Sequence, residues 1–108
     1  MIAVIFEAWP KAEHKEHYLE LAAEIRPLLE SIEGFVSVER FESLTTEGKL
    51  LSLSFFDNEK AVMAWRETLE HKKAQSIGRN QYFANYHLRV CSVMRDYGPE
   101  QRAQAPQA

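Results

Sequence analysis

The chain has a single cysteine, Cys91, so no disulfide can close within it and its framework must come from packing alone. That economy fits a reducing compartment. Glycine and proline are also scarce, four of each in 108 residues, too few for a low-complexity or linker-rich chain. No apolar run approaches the ~20 residues that a membrane-spanning helix needs. Neither sign of charge dominates: 13 Lys and Arg stand against 16 Asp and Glu, a formal net charge of −3. The basic residues are scattered rather than bunched, which argues against a nucleic-acid partner. Residues Met1 to Glu7 carry no basic n-region and no small-residue cleavage site, so the expectation is no signal peptide and a cytoplasmic protein. Glycine-rich phosphate loops, a Ser-His-Asp set and paired cysteine spacings are missing as well. No metal site and no bound cofactor are expected.

What is there reads as one globular domain. Hydrophobic residues make up 45% and charged residues 27%, an ordinary balance for a chain of this length. Ile2 to Trp9 is a run of β-formers stopped by Pro10. From Ala12 to Ile32, the residues Tyr18, Leu21, Ala22, Ile25, Leu28, Leu29 and Ile32 recur at helical spacing. Pro27 interrupts that stripe, which predicts a kink near Glu24 to Arg26 or two pieces nearly in line. Gly34 terminates it. Phe35 to Phe41 reads as a strand whose inward face the pattern does not fix. Glu47-Gly48 makes a turn, and Leu50 to Phe56 returns as its hairpin partner, with Leu51, Leu53 and Phe55 on one face and Ser52 and Ser54 on the other.

Asp57-Asn58 supplies the cap of a second helix, with Glu59 in its first turn and Val62, Trp65 and Leu69 as its stripe. Beyond Leu69 the next core positions would be Lys72 or Lys73, which predicts a break between residues 67 and 70. Gly78 closes the second piece, residues 79–84 are irregular, and Tyr86 to Tyr97 is a long last strand. The order β-α-β-β-α-β is the ferredoxin-like arrangement, an α+β fold with an antiparallel four-stranded sheet. The domain spans residues 1–98, followed by a polar, flexible tail over residues 99–108. Helices cover only one face of such a sheet. The apolar residues on its other face predict a second copy of the chain, a homodimer.

The segment from Trp65 carries Trp65, Arg66, His71, Ala74, Gln75, Gly78, Arg79, Phe83, Tyr86, Leu88, Arg89 and Val90 in a W-R-x(4)-H-x(2)-A-Q-x(2)-G-R-x(3)-F-x(2)-Y-x-L-R-V pattern. Together with Gly34 to Phe41 and Leu50 to Phe55, it resembles the antibiotic biosynthesis monooxygenase family over roughly Ile2 to Gly98. The resemblance implies a dimeric α+β barrel, each subunit holding a pocket between its helices and sheet. Some relatives are cofactor-independent oxygenases of aromatic polyketides or quinols, and others bind and degrade heme. The heme-degrading branch uses an Asn on the first strand, where this chain has Glu7. That carboxylate would oppose the heme propionates or the oxygen site, and the step from Trp65 to His71 is shorter than in that branch.

His71 is the candidate catalytic base. An imidazole with a pKa near ~6.5 can take a phenolic or enolic proton at neutral pH, leaving an anion rich enough in electrons to reduce O2. The plain alternative is a helix-end histidine bonded to a backbone carbonyl. Trp65, Gln75, Arg79, Phe83 and Tyr86 are the candidate substrate-binding residues. Trp65 and Phe83 also suit the core, and Arg79 also suits a helix cap. With a break in the second helix, Trp65 and His71 would border one cavity that also touches Arg79 or Phe83. His14 and His17 lie three apart beside Glu13 and Glu20 and read as solvated surface, since no third metal ligand follows. Trp9 would close an edge of the pocket or the dimer seam, and Cys91 reads as a small buried hydrophobe. The expected function is a small dimeric oxygenase acting on an aromatic or quinol compound without metal or flavin. The alternatives are a non-catalytic dimeric ligand-binding or stress-response protein and, behind it, a heme-binding monooxygenase.

Overall fold

The computed structural model describes residues 1–75 and 83–106, with the side chains of residues 70–75 and 83 excepted. Its elements are β1 (Ile2–Pro10), a short 3-10 turn (Ala12–His14), α1 (Lys15–Glu30), β2 (Phe35–Glu42), β3 (Leu50–Phe56), α2 (Glu59–Gln75) and β4 (Phe83–Ser92). The strands form one antiparallel sheet in the order β2-β3-β1-β4. This is the α+β, ferredoxin-like arrangement expected from the pattern.

The α1 stripe buries Tyr18, Ala22, Ile25 and Leu29, the spacing that one helical face requires. Pro27 does not divide the helix. Its ring and Ala23, whose carbonyl loses the usual hydrogen bond, both lie on the solvent side, where water can serve that carbonyl. After Glu30 the chain turns through Gly34 at φ 93°. A Cβ there would also sit 2.9 Å from the Cβ of Ala61, so Gly34 serves both the turn and the close approach of α2. The hairpin closes through Ser43, whose backbone N–H donates to Lys49 O at 3.0 Å and whose hydroxyl accepts from the N–H of Thr46 at 3.0 Å. Asn58 caps α2: its Oδ1 accepts from the Ala61 N–H at 2.9 Å.

Two expectations fail. The second helix runs unbroken from Glu59 to Gln75. Its later residues are mostly good helix formers with no Gly or Pro among them, so the helix continues past the end of the apolar stripe in the sequence. The last strand begins earlier and ends sooner than Tyr86 to Tyr97. Ser92 pairs with Ile2, the first residue of β1, and Val93 N–H reaches Met1 O. Beyond that pair no further ladder bond forms among the described residues. The following residues turn back on themselves, with Gly98 N–H donating to Gln101 O at 2.8 Å and Arg102 over the Tyr97 ring at 5.3 Å.

The core lies between the helices and one face of the sheet. Val4, Leu29, Val38, Phe56 and Ala61 form its buried cluster, with Ile2, Ile32, Phe35, Val62 and Trp65 packed on it. Residues directly opposite each other on neighbouring strands share a face. The helix-side face therefore carries Val4, Phe6 and Ala8 from β1 and Leu50, Ser52, Ser54 and Phe56 from β3. It also carries Val38 and Arg40 from β2 and Tyr86, Leu88 and Val90 from β4. The opposite, helix-free face carries Ala3, Ile5, Glu7, Trp9, Phe41, Leu51, Leu53, Phe55, Arg89 and Cys91. The serine face of β3 goes under the helices, and its leucine face points away from them.

Candidate functional site

The helix side of the sheet is not covered evenly. At one end the cluster around Phe56 is closed. Over β4 it is open: Tyr86, Leu88 and Val90 point to the helix side yet remain 61%, 51% and 51% exposed. Phe6 lies beside them, its ring 5.9 Å from that of Tyr86. Trp65 packs on the cluster that contains Val4, and Val4 pairs with Val90. Two rings and two aliphatic side chains thus form one open floor, with the Trp65 indole packed on the adjoining core cluster. Such a surface suits a flat, largely apolar organic molecule, with polar groups needed only to orient it.

Polar groups stand at the other side of the floor. Ser52 pairs with Phe6 on one side and with Arg40 on the other. Ser54 lies in the next row, buried between Val4 and Val38. The pattern of β2 concealed Arg40, because a register shift between Phe35 and Ser37 resets which residues face inward. The alternation of serine with leucine in β3 was the available signal, since an inward serine stripe has to meet something other than plain core.

Of the candidate site residues, the structure brings Trp65 and Tyr86 to this side of the sheet. Trp65 serves the core as well. For His71 and Gln75 only the backbone positions on α2 are described, for Phe83 only its place at the start of β4 opposite Pro10, and Arg79 lies outside the described residues. The unbroken helix removes the step that would have turned His71 into line with Trp65. Six residues at ~100° each leave the two about 120° apart around the axis. No single wall of α2 carries both.

Glu7 also stands elsewhere than the heme comparison supposed. It is on the helix-free face, away from the open floor, bound to Lys49 and Arg89 at 3.1 Å each. Trp9 is on that face too, with Lys49 5.0 Å from its ring centre. His14 is half-buried with its Nδ1 shut off from solvent, while His17 is exposed, the two rings 6.3 Å apart. The solvated-surface reading therefore holds for His17 and fails for His14. Among the described residues there is no cluster of metal-ligating side chains.

Lys49 holds the Glu7 carboxyl below the ordinary carboxylate range, chiefly through its hydrogen bond. The charges of Lys49, Arg89 and His87 add to this, and partial burial opposes it. Because the folded pKa is below the unfolded one, the stabilisation is fully present above the unfolded value and is lost as pH falls through the folded value. Thermal melts of the wild type and Glu7→Gln should differ at neutral pH, and the difference should shrink once pH drops below the ordinary 4.5. A gap that stays constant down to pH 3 would contradict this account.

The sequence profile described as antibiotic biosynthesis monooxygenase matches residues 1–76. The chain belongs to the antibiotic biosynthesis monooxygenase family. A jasmonate monooxygenase of Pyricularia oryzae is 44% identical over 93 residues, 86% of this chain and 43% of that protein. The chain thus spans less than half the length of this relative. A second family-sized relative, the protein YqjZ of Bacillus subtilis, is 32% identical over 86% of this chain and 79% of its own length. Among solved structures, that of Rv0793 from Mycobacterium tuberculosis superposes with a TM-score of 0.76 at 14% identity, covering 90% of this chain and 98% of the other. At that identity the likeness bears on the fold alone. No helix among the described residues is long and apolar enough to cross a membrane.

Proposed function

We propose that this family member is a monooxygenase that oxidises a small, largely apolar organic molecule, aromatic, quinol-like or cyclic, on the open floor over β4. The observation that carries this is the exposure of Tyr86, Leu88 and Val90 on the helix-facing side. Apolar groups left open together on the helix-facing side are better explained by a ligand than by core packing. The jasmonate monooxygenase relative supports a substrate of this kind.

The chemistry needs no bound redox group if the substrate supplies both electrons. A base removes a phenolic or enolic proton, and the resulting anion passes electrons to O2. One oxygen atom then enters the product while the other leaves as water with two substrate hydrogens. His71 remains the candidate base by residue type, since an imidazole exchanges protons near neutral pH. Tyr86, on the floor itself, is placed to orient a polar substituent. The helix-free face, with Ile5, Leu51, Leu53, Phe55 and Phe41, is the surface on which a second copy packs to form a homodimer.

Oxygen uptake with a panel of quinols and cyclic enolisable ketones tests the reading. Turnover that yields water rather than peroxide, and that falls about 100-fold in His71→Ala, supports an enzyme with His71 as base. Turnover unchanged in His71→Ala keeps the enzyme and removes the base. Saturable binding without turnover on any member would instead favour a ligand-binding protein of the same fold. A Soret shift at stoichiometric hemin would favour the heme alternative.

A further inference from the structure

Arg40 is a charged residue on the helix-facing side of the sheet whose Nε has no partner among the described residues. It sits on β2 between Val38, which is in the buried cluster, and Glu42, whose carboxylate is 3.4 Å from Lys15 at the start of α1. Val38 packs in the core and Glu42 reaches the start of α1, so Arg40 lies between them on the helix-facing side of β2. Its Nε is buried and has no hydrogen-bond partner among the described residues. Other arginines are differently placed: Arg26 holds Glu30 at 3.0 Å, and Arg89 holds Glu7 at 3.1 Å. A guanidinium stays ionised and carries five donors in a rigid fork suited to a carboxylate. The acidic residue two positions along its strand, Glu42, is already engaged with Lys15. Glu39 is on the opposite face, paired with Leu53.

The sheet sets the direction in which that fork is useful. One row of paired residues runs Arg40, Ser52, Phe6, Leu88 from β2 to β4. At about 4.8 Å per strand, Arg40 and Phe6 are separated by roughly 10 Å, and Leu88 lies one strand further. An extended arginine spans much of the first gap. The row is therefore cationic at one end, hydroxylic next to it, and aromatic and aliphatic at the other.

We propose that Arg40 is the anchor for an anionic head group, so that the ligand of this site is a small monocarboxylate with its head at Arg40 and Ser52 and its apolar body over Phe6, Tyr86 and Leu88. This rests on the reading of the β4 floor as the ligand site and adds to it the charge of the ligand and a residue that selects for it. Arg40 acts as a binding and specificity residue rather than in the chemistry.

Matched pairs that differ only in charge provide the test: jasmonate with its methyl ester, and 2-naphthoate with its methyl ester, titrated calorimetrically into the wild type, Arg40→Gln and Arg40→Lys. The acids should bind the wild type at least ~10-fold more tightly than the esters, as a charge-assisted bidentate contact implies. Arg40→Gln should abolish that preference while leaving ester binding unchanged, which also shows that the variant is folded. Arg40→Lys should restore part of it. Esters that bind as tightly as acids, or a loss in Arg40→Gln that is equal for both, would overturn the anchor and leave the floor as a ligand site. If neither acid nor ester binds any form, the ligand-site reading fails and Arg40 falls with it.

Discussion

Truncation of Phe56 to alanine should lower stability by about 4 kcal/mol, the cost of an aromatic deletion in a core that cannot collapse. Phe56 is 0% exposed and is the largest fully buried side chain among the described residues. Its ring meets that of Phe35 edge-on at 5.9 Å and 71°, and it joins Val4 on β1 to Leu29 on α1 and Ala61 on α2 through one cluster. Every layer of the domain therefore loses contacts together. Against the 5–15 kcal/mol that small domains possess, this is a large share, and melting should fall by roughly 20 °C. Urea unfolding gives the direct reading, a lower midpoint at unchanged slope. A loss below about 1.5 kcal/mol would mean that the centre of the core lies elsewhere.

Replacing Leu53 with aspartate should separate the proposed dimer into monomers. Leu53 stands in the middle of the helix-free face, paired with Ile5 on one side and Glu39 on the other. A second sheet packed there would enclose well over ~1,000 Å². An aspartate would then be buried next to an existing glutamate, with the cation of its row, Arg89, two strands away and already held by Glu7, at a cost of several kcal/mol. At micromolar concentration the wild type should sediment at twice its 12.5 kDa chain mass and the variant at the chain mass itself. Leu44→Asp is the control, because Leu44 is fully exposed in the β2–β3 turn and its replacement should leave the dimer intact. A monomeric wild type, or a Leu53→Asp dimer of undiminished affinity, would remove this interface.

The candidate site was only partly legible. Trp65 and Tyr86 stand out in the sequence as aromatic side chains, and both stand on the helix-facing side of the sheet. The joint placement of Trp65 and His71 depended on a break that the helix does not have. The apolar stripe fails after Leu69, but helix propensity carries α2 on to Gln75. The inward placement of Arg40 and Ser52 is hidden in the sequence for another reason. Strand alternation shows that two faces exist without showing which one the helices cover. In β2 the register shift near Phe35 hides even the alternation.

Local chain chemistry was enough for the order of elements, the α1 stripe, the Gly34 turn, the hairpin and the Asn58 cap. Each of these depends on residues three or four apart or on a single backbone conformation. Pairing between distant segments decided the rest. The register of β4 against β1, with Ser92 opposite Ile2, is one such pairing. Glu7 faces away from the open floor because Val4, Phe6 and Ala8 take the helix side. Arg40 faces the helix side because it pairs with Ser52 in the row that also holds Phe6. A strand's two faces are equivalent until another layer packs on one of them, so only the tertiary structure could assign these residues to core, floor or outer face.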